Sequence, residues 1–133
     1  MGVIADMQHA THRIGRHLES ALTAVGVDQG EAHVLSALAR GPMTVAALVA
    51  AVGVKRSTLT NILDRLERRG LVTREINPND RRSFLVRPTR GGERAAKKVA
   101  AAFAAVDAKL VRATTASERE GFDAVLVRLE EIL

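Results

Sequence analysis

The chain has 133 residues, 47% hydrophobic and 26% charged, with a formal net charge of +5. That is enough chain for one hydrophobic core and not for two, and the mixture excludes disorder over most of the length. Cysteine, Trp and Tyr are absent and only three Phe are present, which excludes disulfides, zinc–thiolate sites, thiol chemistry and sites built on aromatic stacking. The longest apolar runs, Val45–Val54 and Val99–Val106, fall short of the roughly 18–20 residues that a membrane span needs. Residues 1–10 hold Asp6, Gln8 and His9 rather than a secretory apolar region. The expectation is a cytoplasmic protein without a membrane partner.

Apolar residues at three- and four-residue steps (Ile4, Met7, Ile14, Leu18, Ala21, Leu22, Val25) predict a helix over 4–25, ended by Gly26. A second helix over 29–40 carries Ala32, Val34, Leu35 and Leu38 inside and stops at Gly41-Pro42. Thr44 is placed to cap a short third helix through Ala51, and Gly53 supplies a tight turn. The fourth helix spans 56–69, with Leu59, Ile62, Leu63 and Leu66 at i, i+3, i+4, i+7 and Gly70 as its stop. The period then changes. Residues 71–76 and 83–86 read as short strands around the turn formers Asn77-Pro78-Asn79-Asp80, a hairpin with a long basic tip. A fifth helix capped by Thr89 runs to Ala113, with Ala95, Val99, Ala102, Phe103, Val106 and Leu110 on one side. A sixth, capped by Ser117 with Glu118 and Glu120 in its first turn, has the stripe Phe122, Val125, Leu126, Leu129, Ile132 and Leu133. The fold class is mainly α with a small β-wing. It divides into an N-terminal helix (1–28), a middle lobe (29–88) and C-terminal helices (89–133).

The charge is not spread evenly. Residues 55–94 hold eleven basic side chains, ten of them Arg, against five acidic ones, and the rest of the chain is slightly acidic. A concentrated basic balance points to a polyanion, and the planar Arg fork suits phosphates and guanine edges. A solvated surface with scattered salt bridges would give the same count.

Two short helices joined through a glycine, followed by a basic two-stranded hairpin, make a winged helix-turn-helix. The second helix of the pair fits the major groove of B-form DNA. Its apolar side holds it to the lobe. Its other side offers Arg56, Ser57, Thr58, Thr60, Asn61 and Arg65. Asn61 suits bidentate contact with adenine, and Arg56 or Arg65 suits guanine or phosphate. At the hairpin tip, Asp80-Arg81-Arg82 presents an Arg that can enter the narrow minor groove, with Asp80 placed to steady the Arg82 guanidinium.

The segments Thr44–Leu48, Gly53–Thr60, Leu63–Val72, Asn77–Arg82 and Pro88–Gly92 resemble the MarR family of bacterial transcriptional regulators. The resemblance is contiguous over about residues 29–94, and its "DRLERRGLV…NPNDRR" run is specific. It implies a homodimer whose first, fifth and sixth helices intertwine. It also implies a recognition helix in the major groove of each half of a palindromic operator, with the wing in the adjacent minor groove. Carried over, Ser57, Thr58, Thr60, Asn61 and Arg65 face bases or phosphates, Arg82 is the wing-tip arginine and Asp80 its anchor. Lys55 stands where the family often has Ser or Asp, Pro88 replaces the usual Leu before Thr89, and Asn61 leaves the base preference open. The resemblance further implies that a small anionic or aromatic ligand releases the DNA, with His12, Arg16 and His33 as candidate contacts. Family members that sense zinc use histidines of the fifth helix, and this fifth helix has none.

A dimer is expected on physical grounds too. Two recognition helices about 34 Å apart double the base contacts, and the apolar stripes of the terminal helices need a cover. Asp6, His9 and His12 recur at three-residue steps without a fourth ligand, so no metal or cofactor is expected. No Ser/His/Asp set, P-loop, dinucleotide fingerprint or His-Glu-x-x-His is present, and Glu130-Glu131 lie on adjacent helix faces. The chain is therefore not read as an enzyme and has no catalytic residue. Two other readings compete with a ligand-responsive repressor. One is an architectural DNA-binding protein of low sequence specificity, and the other is a winged helix reused as a protein-interaction module.

Overall fold

The hydrophobic periods become helices α1 (Val3–Val25), α2 (Gln29–Leu38), α3 (Val45–Val52), α4 (Arg56–Arg68), α5 (Arg90–Ala113) and α6 (Ala116–Ile132). The strands are β1 (Met43–Thr44), β2 (Val72–Asn77) and β3 (Asp80–Pro88). The computed structural model describes residues 2–133. All three strands join one antiparallel sheet in the order β1-β3-β2. No single helix among the described residues is long and apolar enough to cross a membrane.

The chain divides into two compact units, one ending at Ala102 and one running Phe103–Leu133. In the first, Leu35, Leu38, Leu48, Leu59, Leu63, Leu66, Val72, Val86 and Val99 are fully buried. These aliphatic side chains come from α2, α3, α4, the sheet and the first half of α5, so one core holds the whole lobe. In the second unit no residue of α6 is buried. Leu126 and Leu129 are half-covered, while Phe122, Val125 and Leu133 lie open. Of the expected apolar face of α1 only Leu18 and Leu22 are buried, Met7, Ala21 and Val25 are half-covered, and Ile4 and Ile14 are exposed.

Local chemistry explains most boundaries. Thr44 accepts a hydrogen bond from Ala47 N at 3.1 Å and starts α3. Gly26 and Gly53 close α1 and α3 in the left-handed region that favours glycine. Thr89 caps α5, accepting from Gly92 N at 3.1 Å. Three expectations need correction. β1 is too short for any period to reveal, and exists because Met43 and Thr44 pair with Val86 and Leu85. β3 starts at Asp80 rather than Ser83, leaving only Pro78 and Asn79 between the strands. The cap of α6 is Thr115, not Ser117. Both Thr115-x-x-Glu118 and Ser117-x-x-Glu120 fit a capping box. The earlier register is formed, with Thr115 N donating to Glu118 and Glu118 N to Thr115 Oγ1. It also lets Arg119 donate to Thr114 O at 2.8 Å. Glu120 then lies beyond the first turn.

Two polar ties set the position of α4. Asp28 and Glu31 form a capping box on α2, with Glu31 N donating to Asp28 Oδ1 at 2.8 Å. The Glu31 side chain is only 6% exposed and accepts from Arg69 Nη1 at 2.7 Å. The other Arg69 nitrogen donates to the Gly26 carbonyl at the end of α1. One guanidinium thus joins α1, α2 and the end of α4. At the other side of α4, Leu71 O accepts from Thr89 N at 3.0 Å, and Thr89 Oγ1 donates to Gly70 O at 2.6 Å. The first turn of α5 comes so close to this strand start that a Cβ on Gly92 would overlap the Leu71 carbonyl.

Gly92→Ala is expected to cost more than about 2 kcal/mol in urea unfolding, because backbone must move. Gly121→Ala, whose Cβ would meet open space, should be neutral or stabilising by up to about 1 kcal/mol. Arg69→Ala should cost roughly 1–3 kcal/mol, since it leaves the buried Glu31 carboxylate without its cation. An Arg69→Ala protein as stable as the wild type would show that the tie is not structural.

Candidate nucleic-acid interface

Leu59, Ile62, Leu63 and Leu66 are all buried, so one face of α4 is fixed against the lobe. The helical period then turns Arg56, Ser57, Thr58, Thr60 and Asn61 outward, and all five are exposed. Thr60 Oγ1 donates to Arg56 O at 2.9 Å, which leaves its oxygen as an acceptor. Arg65 is partly covered and meets Asp28 Oδ2 at 3.4 Å. Thr58, Asn61 and Arg65 line one shallow cleft with Asp28, Gln29 and Gly30 of the α2 start. Lys55 gives α4 no side-chain cap, so donors at its first turn stay open toward solvent.

The wing is the β2–β3 hairpin. Asn77 Oδ1 accepts from Asn79 N at 3.0 Å, and Asn77 Nδ2 donates to Ser83 Oγ at 3.2 Å. These bonds and the irregular register between Ile76 and Asn77 shape the tip. Asp80, Arg81 and Arg82 lie on the start of β3 rather than in a loop. Asp80 and Arg82 share a side, because their side chains meet. Asp80 Oδ1 accepts from Arg82 N at 3.1 Å and Nε at 3.4 Å. The Arg82 side chain is nonetheless 93% exposed. Asp80 braces the backbone while the guanidinium reaches into solvent.

The wing is locked to α4 through Arg74, which donates to Asp64 at 2.7 Å and Glu67 at 2.5 Å. Partial burial works against the Arg74 charge, but its hydrogen bonds and charge attraction to Asp64 and Glu67 outweigh this and hold it above the ordinary value. Arg87 pairs with Glu75 across the hairpin at 2.6 Å. The basic excess therefore separates into two sets. Arg69, Arg74 and Arg87 hold the lobe together. Among the described residues Lys55, Arg56, Arg68, Arg81, Arg90 and Arg94 make no ion pair.

His12 and Arg16 lie one turn apart on α1 and His33 lies on α2, and all three are exposed. A separate cleft of about 350 Å³ opens among Leu38, Gly41, Pro42, Arg87, Glu93 and Lys97, and none of the three lines it. Among the described residues no three His, Asp or Glu are grouped to hold a metal ion, Asp6, His9 and His12 included. The periodicity did not single out Asp28, Glu31, Arg69 and Arg74. The Asp28-x-x-Glu31 capping pattern was legible, whereas the ion pairs span 38 and 10 residues and leave no local signal.

A family model described as the MarR family matches residues 25–83. A proposed transcriptional regulatory protein for the hcr operon of Thauera aromatica is 30% identical over 108 residues. That match covers 80% of this chain and 65% of the relative, so the chain spans less than two thirds of the relative's length. Among solved structures, a mutant MarR of E. coli complexed with operator DNA superposes with a TM-score of 0.80 at 26% identity, over 92% of this chain and 89% of that one. The MepR–DNA complex of S. aureus gives 0.88 at 20% identity, over 100% and 99%. NadR in complex with 4-hydroxyphenylacetate gives 0.87 at 20% identity, over 100% and 95%. The buried leucine stripe under an outward polar helix, the arginine-tipped hairpin beside it and these matches agree: the chain has a winged-helix fold, and its residues 25–83 match the MarR family.

Proposed function

We propose that the chain is a homodimeric, sequence-specific DNA-binding transcriptional regulator, a repressor that a small anionic or aromatic ligand releases from a palindromic operator. The observation that carries this reading is the pairing of the exposed face of α4 with the exposed Arg82 at the wing. In this reading Arg56, Ser57, Thr58, Thr60 and Asn61 meet base edges or phosphates in the major groove, and Arg65 reaches the backbone. Arg82 enters the adjacent minor groove, and the exposed Arg81 beside it meets a flanking phosphate. The protein works in the cytoplasm, where its DNA is.

Support for the dimer comes from apolar side chains left uncovered. Phe122, Val125 and Val127 of α6, Leu110 and Val111 of α5, and Val3 and Ile4 of α1 are all about half exposed or more. A second copy is the natural cover for such faces. In functional terms residues 1–28 and 89–133 then serve dimerisation, and residues 29–88 serve DNA binding. Support for ligand release comes from the NadR complex with an aromatic acid. His12, Arg16 and His33 enter as surface residues that a second chain would have to enclose. A ligand that prefers one spacing of the two recognition helices shifts the population between bound and free forms.

Arg82→Ala should weaken binding to a selected duplex by more than about tenfold with the fold intact. An unchanged affinity in a gel-shift titration would remove the wing from the interface. Asn61→Ala should relax the preference at one base position at a cost of roughly 1–3 kcal/mol. Equal losses on every sequence would assign Asn61 to the phosphate backbone instead.

A further inference from the structure

Asp28 belongs both to the frame behind α4 and to its outward face. Its Oδ1 accepts from Glu31 N at 2.8 Å and so caps α2. Its Oδ2 meets Arg65 Nη2 at 3.4 Å, and it lines the same cleft as Thr58, Asn61 and Arg65. We propose that Asp28 is a built-in competitor for Arg65: it holds the guanidinium in the free protein and yields it to a DNA phosphate on docking, which lowers the affinity for DNA. The inference rests on the DNA-binding reading above and assigns Asp28 a restraining role in it.

The geometry favours exchange. The pair is a single contact at the long end of the range, and the two side chains are 42% and 56% exposed. Pairs of this kind contribute little net stability. A phosphate offers a stronger, bidentate partner, and docking also releases its counterions. The neighbouring pairs differ. Glu31 and Arg69 meet at 2.7 Å with the carboxylate enclosed, and Arg74 is shared by two acids at 2.7 and 2.5 Å. Those arginines stay where they are. Arg65 also lies nine residues beyond Arg56, about 13 Å further along the helix. Recognition helices read bases chiefly through their N-terminal residues, so Arg65 meets the backbone and the restraint acts on all sequences alike.

Asp28→Asn removes the charge and keeps a good N-cap, and Asp28→Ser is a second capping replacement. Both are titrated against two probes, a duplex selected by the wild-type protein from random DNA and an unselected duplex of equal length. Both variants are expected to bind both duplexes about two- to fivefold tighter at low salt, with the gain reduced by more than half in an Arg65→Ala background. Unchanged or weaker binding, tightening on only one duplex, or a gain that survives in the Arg65→Ala background overturns the proposal. Failure of the wild-type protein to bind either duplex refutes the DNA-binding reading itself, and the same titration shows which of the two has failed.

Discussion

Leu59, Ile62, Leu63 and Leu66 are buried side by side under α4, and the side chains opposite them have nowhere to go but outward. Burying four such residues removes enough apolar surface to contribute several kcal/mol, at about 1.5–3 kcal/mol each. No ion pair in the lobe approaches that total. The orientation of the polar face is therefore set by the core, and the charged residues refine it. A helix held this way can carry Ser, Thr and Asn on its open side, where core packing does not select the residue.

The arginines divide by burial. Arg69 meets a nearly enclosed carboxylate, and Arg74 joins α4 to β2 through two acids. These act as struts: Arg69 fixes α4 to α1 and α2, and Arg74 fixes the spacing between helix and wing. Arg82 has only a braced backbone and one long contact, so its head stays available. The same residue type thus does two jobs, and net charge alone does not separate them. A count over 55–94 overstates the free positive surface, because three of its ten arginines are already committed within the lobe.

Much of this architecture was legible in the sequence. The leucine spacing in α4, the cap at Thr44 and the stops at Gly26 and Gly53 are local signals, and local signals survive without tertiary context. Where two local signals compete, tertiary contacts decide. Thr115 prevails over Ser117 because the longer helix also engages Arg119 with Thr114. The start of β3 at Asp80 leaves little mark in the sequence, because Arg81 and Arg82 break the alternation that marks a strand and the pairing with β2 is itself irregular there, with Ile76 opposite Phe84 and Asn77 opposite Asp80. The stripes on α1 and α6 read as faces in need of a cover, and they are largely open in the single chain. Period reports that a face wants cover, and it does not say which chain provides it. The ties among Gly26, Glu31 and Arg69 leave no trace at any short spacing.

On the proposed reading, two outward helices of a paired chain read DNA in successive major grooves. The most direct measurement selects duplexes from random-sequence DNA with the purified protein and determines the mass of the selected complex. The expected outcome is an inverted repeat with half-site centres about one helical turn apart, two chains per duplex, and an affinity that falls steeply with added salt. A protein that remains a single chain and enriches no sequence at low ionic strength would contradict it.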